Sequence, residues 1–274
     1  MSLSTTTSAA RYLLPGIVAG IVGFAFSRLM IEPLIGQAVD YEAQRAHVEG
    51  ELLGTGHDHG HELFSRAVQS NVGAAVGITV FAVVMGVLFA VTYAVVRSVV
   101  ARRGLAIHPA GLALLVAAGM FVAVAAIPGV KYPANPPGVG LDDTAAARTS
   151  SFLTIVVVSV VCAGIALAVG LAGSRRWGGW AASVVAVGGY LAVMVGAMIL
   201  LPEFNEVPEP LAGPDGLVLA GFPAGLLAEF QLYSLIAQAL MWLTIGATFG
   251  CLTRLTGQPR FTPTTGRDSV TVPG

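Results

Sequence analysis

Residues 150–171 read Ser-Ser-Phe-Leu-Thr-Ile-Val-Val-Val-Ser-Val-Val-Cys-Ala-Gly-Ile-Ala-Leu-Ala-Val-Gly-Leu, with no charged side chain among them. A helix rises about 1.5 Å per residue, so this run crosses the roughly 30 Å hydrocarbon core of a bilayer. Ser174, Arg175 and Arg176 close it with polar groups. Outward from this segment, five further apolar runs have the same character, at about residues 11–31, 68–96, 109–127, 177–201 and 226–254. The fold class that follows is all-α: a polytopic membrane helical bundle of about six transmembrane helices. Composition agrees, since 55% of the 274 residues are hydrophobic and 11% charged, whereas about a quarter are charged in an average soluble domain.

The bundle occupies 11–254, between tails at 1–10 and 255–274 whose Ser, Thr, Gly and Pro content predicts disorder. A polar His/acidic loop at 33–67 interrupts it, with a short surface helix expected over 39–53. The first run is retained and is not a signal peptide. It has spanning length, no small-residue cleavage pattern follows it, and Gly16, Gly20 and Gly23 form a packing stripe. Two other spacings, Gly73 with Gly77 and Gly246 with Gly250, also let a neighbouring helix approach closely. A net charge of −1, with the 14 basic residues scattered at the ends of apolar runs, argues neither for nucleic acid nor for polybasic lipid attachment, and the expected partner is the lipid bilayer itself. Cys162 and Cys251 lie at different depths and read as small core residues rather than a disulfide.

An even number of spans puts both termini on one side. Arg11, Arg97, Arg102, Arg103, Arg175, Arg176, Arg254, Arg260 and Arg267 share that side, against Arg28, Arg45, Arg66, Lys131 and Arg148 on the other. The nine-to-five excess marks the termini as cytoplasmic and the protein as a multi-pass cell (plasma) membrane protein. Of the 15 carboxylates only Asp268 falls inside. An outer face this acidic concentrates cations at the entrance, an effect that salt weakens.

That face carries His57-Asp58-His59-Gly60-His61. Imidazole nitrogen and carboxylate oxygen suit divalent transition metals, and alternate residues of an extended segment project to one side. His57, Asp58, His59, His61 and Glu62 are therefore the candidate metal ligands, with Glu51 able to fill an open position. The bland reading is a solvated polar loop.

Two proline-rich segments join the loop outside: Lys131-Tyr-Pro-Ala-Asn-Pro-Pro-Gly-Val-Gly140, and Leu201-Pro-Glu-Phe-Asn-Glu-Val-Pro-Glu-Pro210. Neither can be helix, and each is a rigid mouth in which Asn135, Asn205 and Glu206 are candidates for ion selectivity or simply flank helix stops. Arg28 with Glu32, four residues apart at the end of the first helix, and Gln238 in mid-span of the sixth are candidates for the ion path. For Arg28 and Glu32 the alternative is an interface anchor, and Gln238 requires a partner within the bundle. Pro33, Pro128 and Pro202 each end an odd-numbered helix, which divides the chain into three helical hairpins and suggests a repeat.

The motifs together resemble one family. Arg28 and Ile31-Glu32-Pro33, Tyr41-Glu42, the 57–61 histidine loop, the Lys131-to-Gly140 mouth and Asn205-Glu206-Val207-Pro208-Glu209 make the chain similar to CbtA-type cobalt transporter subunits over about 12–253. The resemblance implies membrane uptake of cobalt for cobalamin synthesis beside a small single-span CbtB-like subunit. Members are usually described with five spans, one fewer than the apolar runs here.

The leading function is thus uptake of a divalent transition metal, cobalt first and nickel or zinc next, as the transported substrate. The alternative is a metal-binding accessory or sensor subunit that hands the ion to a partner and forms no pore. An enzyme is not expected. Lys131, the single lysine, lacks a GxxxxGK[ST] loop, so there is no ATP site in this chain, and neither an H-E-x-x-H motif nor a nucleophile elbow is present.

Overall fold

The computed structural model describes residues 3–53, 68–214 and 216–257. Among these residues six helices are long and apolar enough to cross a membrane: Tyr12–Leu53, Asn71–Arg102, Pro109–Lys131, Asp142–Trp177, Gly179–Leu200 and Ala224–Leu255. They are called the first to sixth spans below. Among the described residues the rest of the regular structure is one small antiparallel hairpin, β1 (Leu211–Gly213) with β2 (Gly216–Leu219), between the last two spans.

The first span corrects two expectations. Its helix begins at Leu3, within the stretch expected to be a tail, and does not stop at Pro33. Instead Ser27–Ile31 widens into a π-turn, marked by a bond from the Glu32 amide to the Ser27 carbonyl, and α-helix resumes over Glu32–Leu53. The separate surface helix and most of the loop from residue 33 are thus one rigid continuation. The third span repeats the device: a π-turn at Val122–Ala126 precedes Ile127–Lys131, so Pro128 is likewise passed rather than obeyed. A proline inside an α-helix removes one bond and its ring presses on the carbonyl four residues earlier. A widened turn just before the proline relieves that contact, and both prolines then sit at the second position of the next helical segment, where a missing N–H matters least. Phe26 and Phe121 precede these two π-turns, each seven residues before its proline, and a third π-turn, Gln69–Gly73, opens the second span without a proline after it. Only the fifth span stops at its proline, ending at Leu200 before Pro202, so the suggested threefold repeat reduces to two matched spans.

The first span has 42 residues, about 60 Å of helix against a hydrocarbon core of about 30 Å. Its second half therefore stands clear of the bundle and builds a cap. Ile31, Leu34, Ala38 and Tyr41 form its buried stripe, packed on Val139, Leu219, Phe222, Leu226 and Phe230. Within the bundle a separate apolar core joins the first, second, third and sixth spans, centred on Phe89, Trp242 and Ile245. Gly16 and Gly20 lie against the backbone at Val83 and Thr79 of the second span, and Gly246 and Gly250 against Ala113, Ala117 and Ala110 of the third. The Gly73 and Gly77 spacing brings no helix close, since nothing lies within 4 Å of a Cβ at Gly77. The fourth and fifth spans pack on each other, joined by a 2.8 Å hydrogen bond between Ser159 and Tyr190. Each is 11% buried over its most apolar window, against 33% for the first, third and sixth, so this hairpin is a flank and not part of the core.

Candidate functional site

The outer half of the first span and the segments after the third and fifth spans assemble together over one face of the bundle. The opposite face is tight and basic: the Arg103 guanidinium donates to the Leu171 carbonyl at 2.6 Å, and Arg175 to the Arg103 carbonyl at 3.2 Å.

On the proline-rich face the segment 201–223 is a strap fastened at both ends. At one end the Tyr132 hydroxyl donates to the Pro202 carbonyl at 2.7 Å, and Lys131 Nζ meets Glu203 Oε1 at 3.1 Å. Glu206 is the centre of this fastening. Its backbone carbonyl accepts from the Gly140 amide at 3.2 Å, and its Oε2 accepts from the Leu141 amide and the Thr144 hydroxyl, both at 2.8 Å. Arg148 Nε lies 3.4 Å from the same oxygen, an ion-pair contact outside hydrogen-bonding geometry, while its Nη2 donates to the Leu141 carbonyl at 2.9 Å. The Glu206 side chain is 10% exposed. The Leu141 amide first, and then the Thr144 hydroxyl, hold its carboxyl below the ordinary glutamate range; desolvation opposes them and Arg148 adds a smaller pull. Gly140, with φ at +109°, leaves the space that the Arg148 guanidinium fills, so the close approach and the backbone angle both require glycine there.

At its other end the strap meets the standing half of the first span. The Tyr41 hydroxyl donates to the Ala220 carbonyl at 3.2 Å, its ring lies edge-on to Phe222 at 5.0 Å, and Arg45 donates to the Glu209 carbonyl at 2.7 Å. Gly138 rests against Glu42. Two largely irregular segments and the helical outer half of the first span, far apart in sequence, are thereby locked into one lid. Exposed on it are Asp40, Glu42, Glu51, Asp142, Asp143, Glu203 and Glu209, a field that attracts cations.

A family model described as "Probable cobalt transporter subunit (CbtA)" matches residues 7–254. The chain belongs to the CbtA family. No curated protein and no solved structure matches it. As a CbtA protein it is a multi-pass membrane protein and a probable cobalt transporter subunit.

The sequence candidates of this CbtA chain separate into three groups. His57, Asp58, His59, His61 and Glu62 lie outside the described residues; among those described, no three His, Cys, Asp or Glu side chains converge on a metal position. Asn135 and Asn205 are exposed on the mouths, whereas Glu206 is committed to the strap. Arg28, carried on the first π-turn, donates from Nε to Asn71 Oδ1 of the second span at 3.2 Å, and Glu32 follows that turn directly. Gln238 is half-buried in the sixth span. Sequence reasoning missed Asn71, Arg45, Thr144 and Arg148, and met Tyr41 only as part of the family resemblance; their partners are 43 to 179 residues away and leave no local signal. The hairpin had one: Gly213-Pro-Asp-Gly216 is a turn sequence between short apolar runs.

Proposed function

We propose that this CbtA protein imports a divalent transition metal, cobalt foremost, for cobalamin synthesis, beside a small single-span CbtB-like subunit. The observation that carries the reading is the family match over nearly all of a six-span bundle in which the outer half of the first span and the segments after the third and fifth spans share one acidic face. The nine-to-five distribution of basic residues supports placing that face outside and both termini in the cytoplasm. The 57–61 histidine loop captures the ion, Asn135 and Asn205 on the rigid mouths discriminate between ions, and Glu206 fixes the segment that bears Asn205. Discrimination belongs to rigid groups because nitrogen and oxygen ligands in a pliable loop follow the general affinity order, which does not place cobalt above nickel or copper. The same transport assay addresses the accessory-subunit reading. Cells expressing this chain alone, and with a single-span partner, should accumulate Co²⁺ above vector controls. Metal binding without accumulation in either case would leave the chain a capture subunit.

Replacing His57, His59 and His61 together with alanine should weaken Co²⁺, Ni²⁺ and Zn²⁺ binding alike, measured by titration calorimetry on purified protein, with the bundle still folded. Wild-type binding should also weaken as pH falls below about 6.5, because imidazole must be deprotonated to ligate. Unchanged affinities in the variant remove the loop from capture. For orientation, cysteines placed at Ser4 and Gly60 in a Cys162→Ala, Cys251→Ala background should differ in intact cells: Gly60→Cys labels with an impermeant maleimide and Ser4→Cys does not. The reverse pattern inverts the topology.

A further inference from the structure

The outer half of the first span carries two charged pairs at i, i+4 spacing, side by side and different in chemistry. Arg45 Nε meets Glu49 Oε1 at 2.9 Å, while His47 Nε2 lies 3.4 Å from Glu51 Oε1. A guanidinium keeps its protons and has no lone pair to give, so the first pair is an ion pair and nothing else. Neutral imidazole and carboxylate both give lone pairs. Side chains four apart stand on one helix face with Cβ atoms about 5–6 Å from each other. In the H-E-x-x-H motif that same spacing brings two ligands onto one zinc ion.

The separation of His47 from Glu51 suits a metal. Bonds of about 2.0–2.1 Å from one ion to a nitrogen and an oxygen place those donors about 3.4 Å apart at the tetrahedral angle and about 3.0 Å apart at a right angle. The two side chains therefore stand at a tetrahedral edge before any ion arrives. They are 60% and 66% exposed, so an ion reaches them directly and keeps water at its other positions. Both sit on the continuous helix Glu32–Leu53, which fixes their backbone. Tyr41, Arg45 and Val48 turn toward the strap and the cap core, and His47 with Glu51 lie about 100° round the helix from that stripe. Binding there leaves the fastening of the lid undisturbed.

We propose that His47 and Glu51 are a two-ligand binding site for one divalent transition-metal ion, Co²⁺ or Zn²⁺ among them. The ion replaces the proton that makes the two groups an ion pair, that proton passes to water, and water molecules complete the shell. Glu51 is thereby engaged with His47 on the helix and not with the histidine-bearing stretch. An ion held here stands between Arg45, which holds the strap, and residue 54, where that stretch begins. Its contribution to uptake rests on the function proposed above, whereas the binding does not.

The test uses the full chain with His57, His59 and His61 replaced by alanine, titrated with Zn²⁺ and with Co²⁺ in a calorimeter. One ion should still bind. Adding His47→Ala or Glu51→Gln should weaken that binding at least about tenfold, since losing a ligand costs no less than losing an outer-shell partner. Glu49→Gln removes the same charge two residues away and should leave it unchanged, which separates chelation from the general attraction of an acidic surface. Saturating Zn²⁺ should also slow amide exchange over 48–53, and not after His47→Ala, because a metal bridge across one turn opposes its opening. Melting temperatures serve to exclude misfolding. If the triple variant binds no ion, or binds it equally well after His47→Ala, the site is overturned and the transport reading is untouched. Wild-type affinity in the triple variant, lost on His47→Ala, supports the site and removes the 57–61 stretch from capture. In cells that accumulate Co²⁺, His47→Ala should raise the half-saturating concentration and keep the maximal rate; an unchanged half-saturating concentration overturns the part of the site in uptake. Binding at His47 in a wild type that accumulates no Co²⁺ supports the site and sinks the transport reading.

Discussion

Gly16→Val should destroy the folded bundle. A Cβ at this position would stand 2.5 Å from Val83 Cα and 2.7 Å from the Ala82 carbonyl oxygen, both backbone atoms of the second span. A flexible side chain can turn away, but a helix backbone moves only as a whole, so the first and second spans must separate. Gly86 makes the contact reciprocal, since its own Cβ would lie 3.0 Å from the Cα and N of Gly16. Ordinary overpacking costs about 1–3 kcal/mol, and with no side chain available to yield, the upper end or beyond is expected. Between membrane helices such close packing is a main source of association. The measurement is thermal melting followed by size-exclusion chromatography in detergent, with Gly77→Val as control because nothing lies within 4 Å of its Cβ. The control should melt like the wild type and Gly16→Val should give no monodisperse peak. Equal behaviour of the two would show that the first two spans do not meet at Gly16.

Glu206→Ala should release the strap from the start of the fourth span while leaving the bundle intact. The substitution strands the Leu141 amide, the Thr144 hydroxyl and a buried Arg148 Nε that has no other partner. Hydrogen exchange at the Leu141 amide reads this directly, and an acceleration of about ten- to a hundredfold corresponds to loss of a charge-assisted bond. The pH dependence has a definite sign. Glu206 titrates below the ordinary glutamate range in the folded protein, so the stabilisation is fully present above the unfolded pKa and is lost as pH falls through the lower folded value. Wild-type protection of Leu141 should fall only in acid, and Glu206→Ala should lack that step. Asp142→Asn, at an exposed carboxylate close by, should change neither. An unaltered Leu141 amide in Glu206→Ala would remove the carboxylate from the fastening.

Six spans, irregular mouths and the close approach at Gly246 and Gly250 were all legible in the sequence, because each depends on a local run of residue types. The π-turns were not. Pro33 and Pro128 punctuate the sequence in the same way whether a helix ends or widens to pass them. What decides is whether the continuation has something to bury, and Ile31, Leu34, Ala38 and Tyr41 find Phe222 and Leu226 almost two hundred residues on. Gly73 and Gly77 mislead for the complementary reason: small residues permit a close approach but do not supply the neighbouring helix. The same limit governs the candidate site. Asn135 and Asn205 could be named from their proline-rich surroundings, whereas the fastening role of Glu206 depends on Leu141, Thr144 and Arg148, up to 65 residues away.

The long first helix has a mechanical consequence. Its rigid outer arm runs from the π-turn at Ser27–Ile31 to Leu53, about 33 Å at the usual rise. A bend of 10° at the turn, taken as a round figure, carries the tip through about 6 Å over an arm of that length. Tyr41 and Arg45 couple the arm to the strap partway along, so the same rotation pulls on both mouths at reduced amplitude. A small rearrangement deep in the bundle is thereby geared up into a large displacement where residue 54 and the histidine-bearing stretch begin, and any load at the tip returns to the pivot with the leverage reversed.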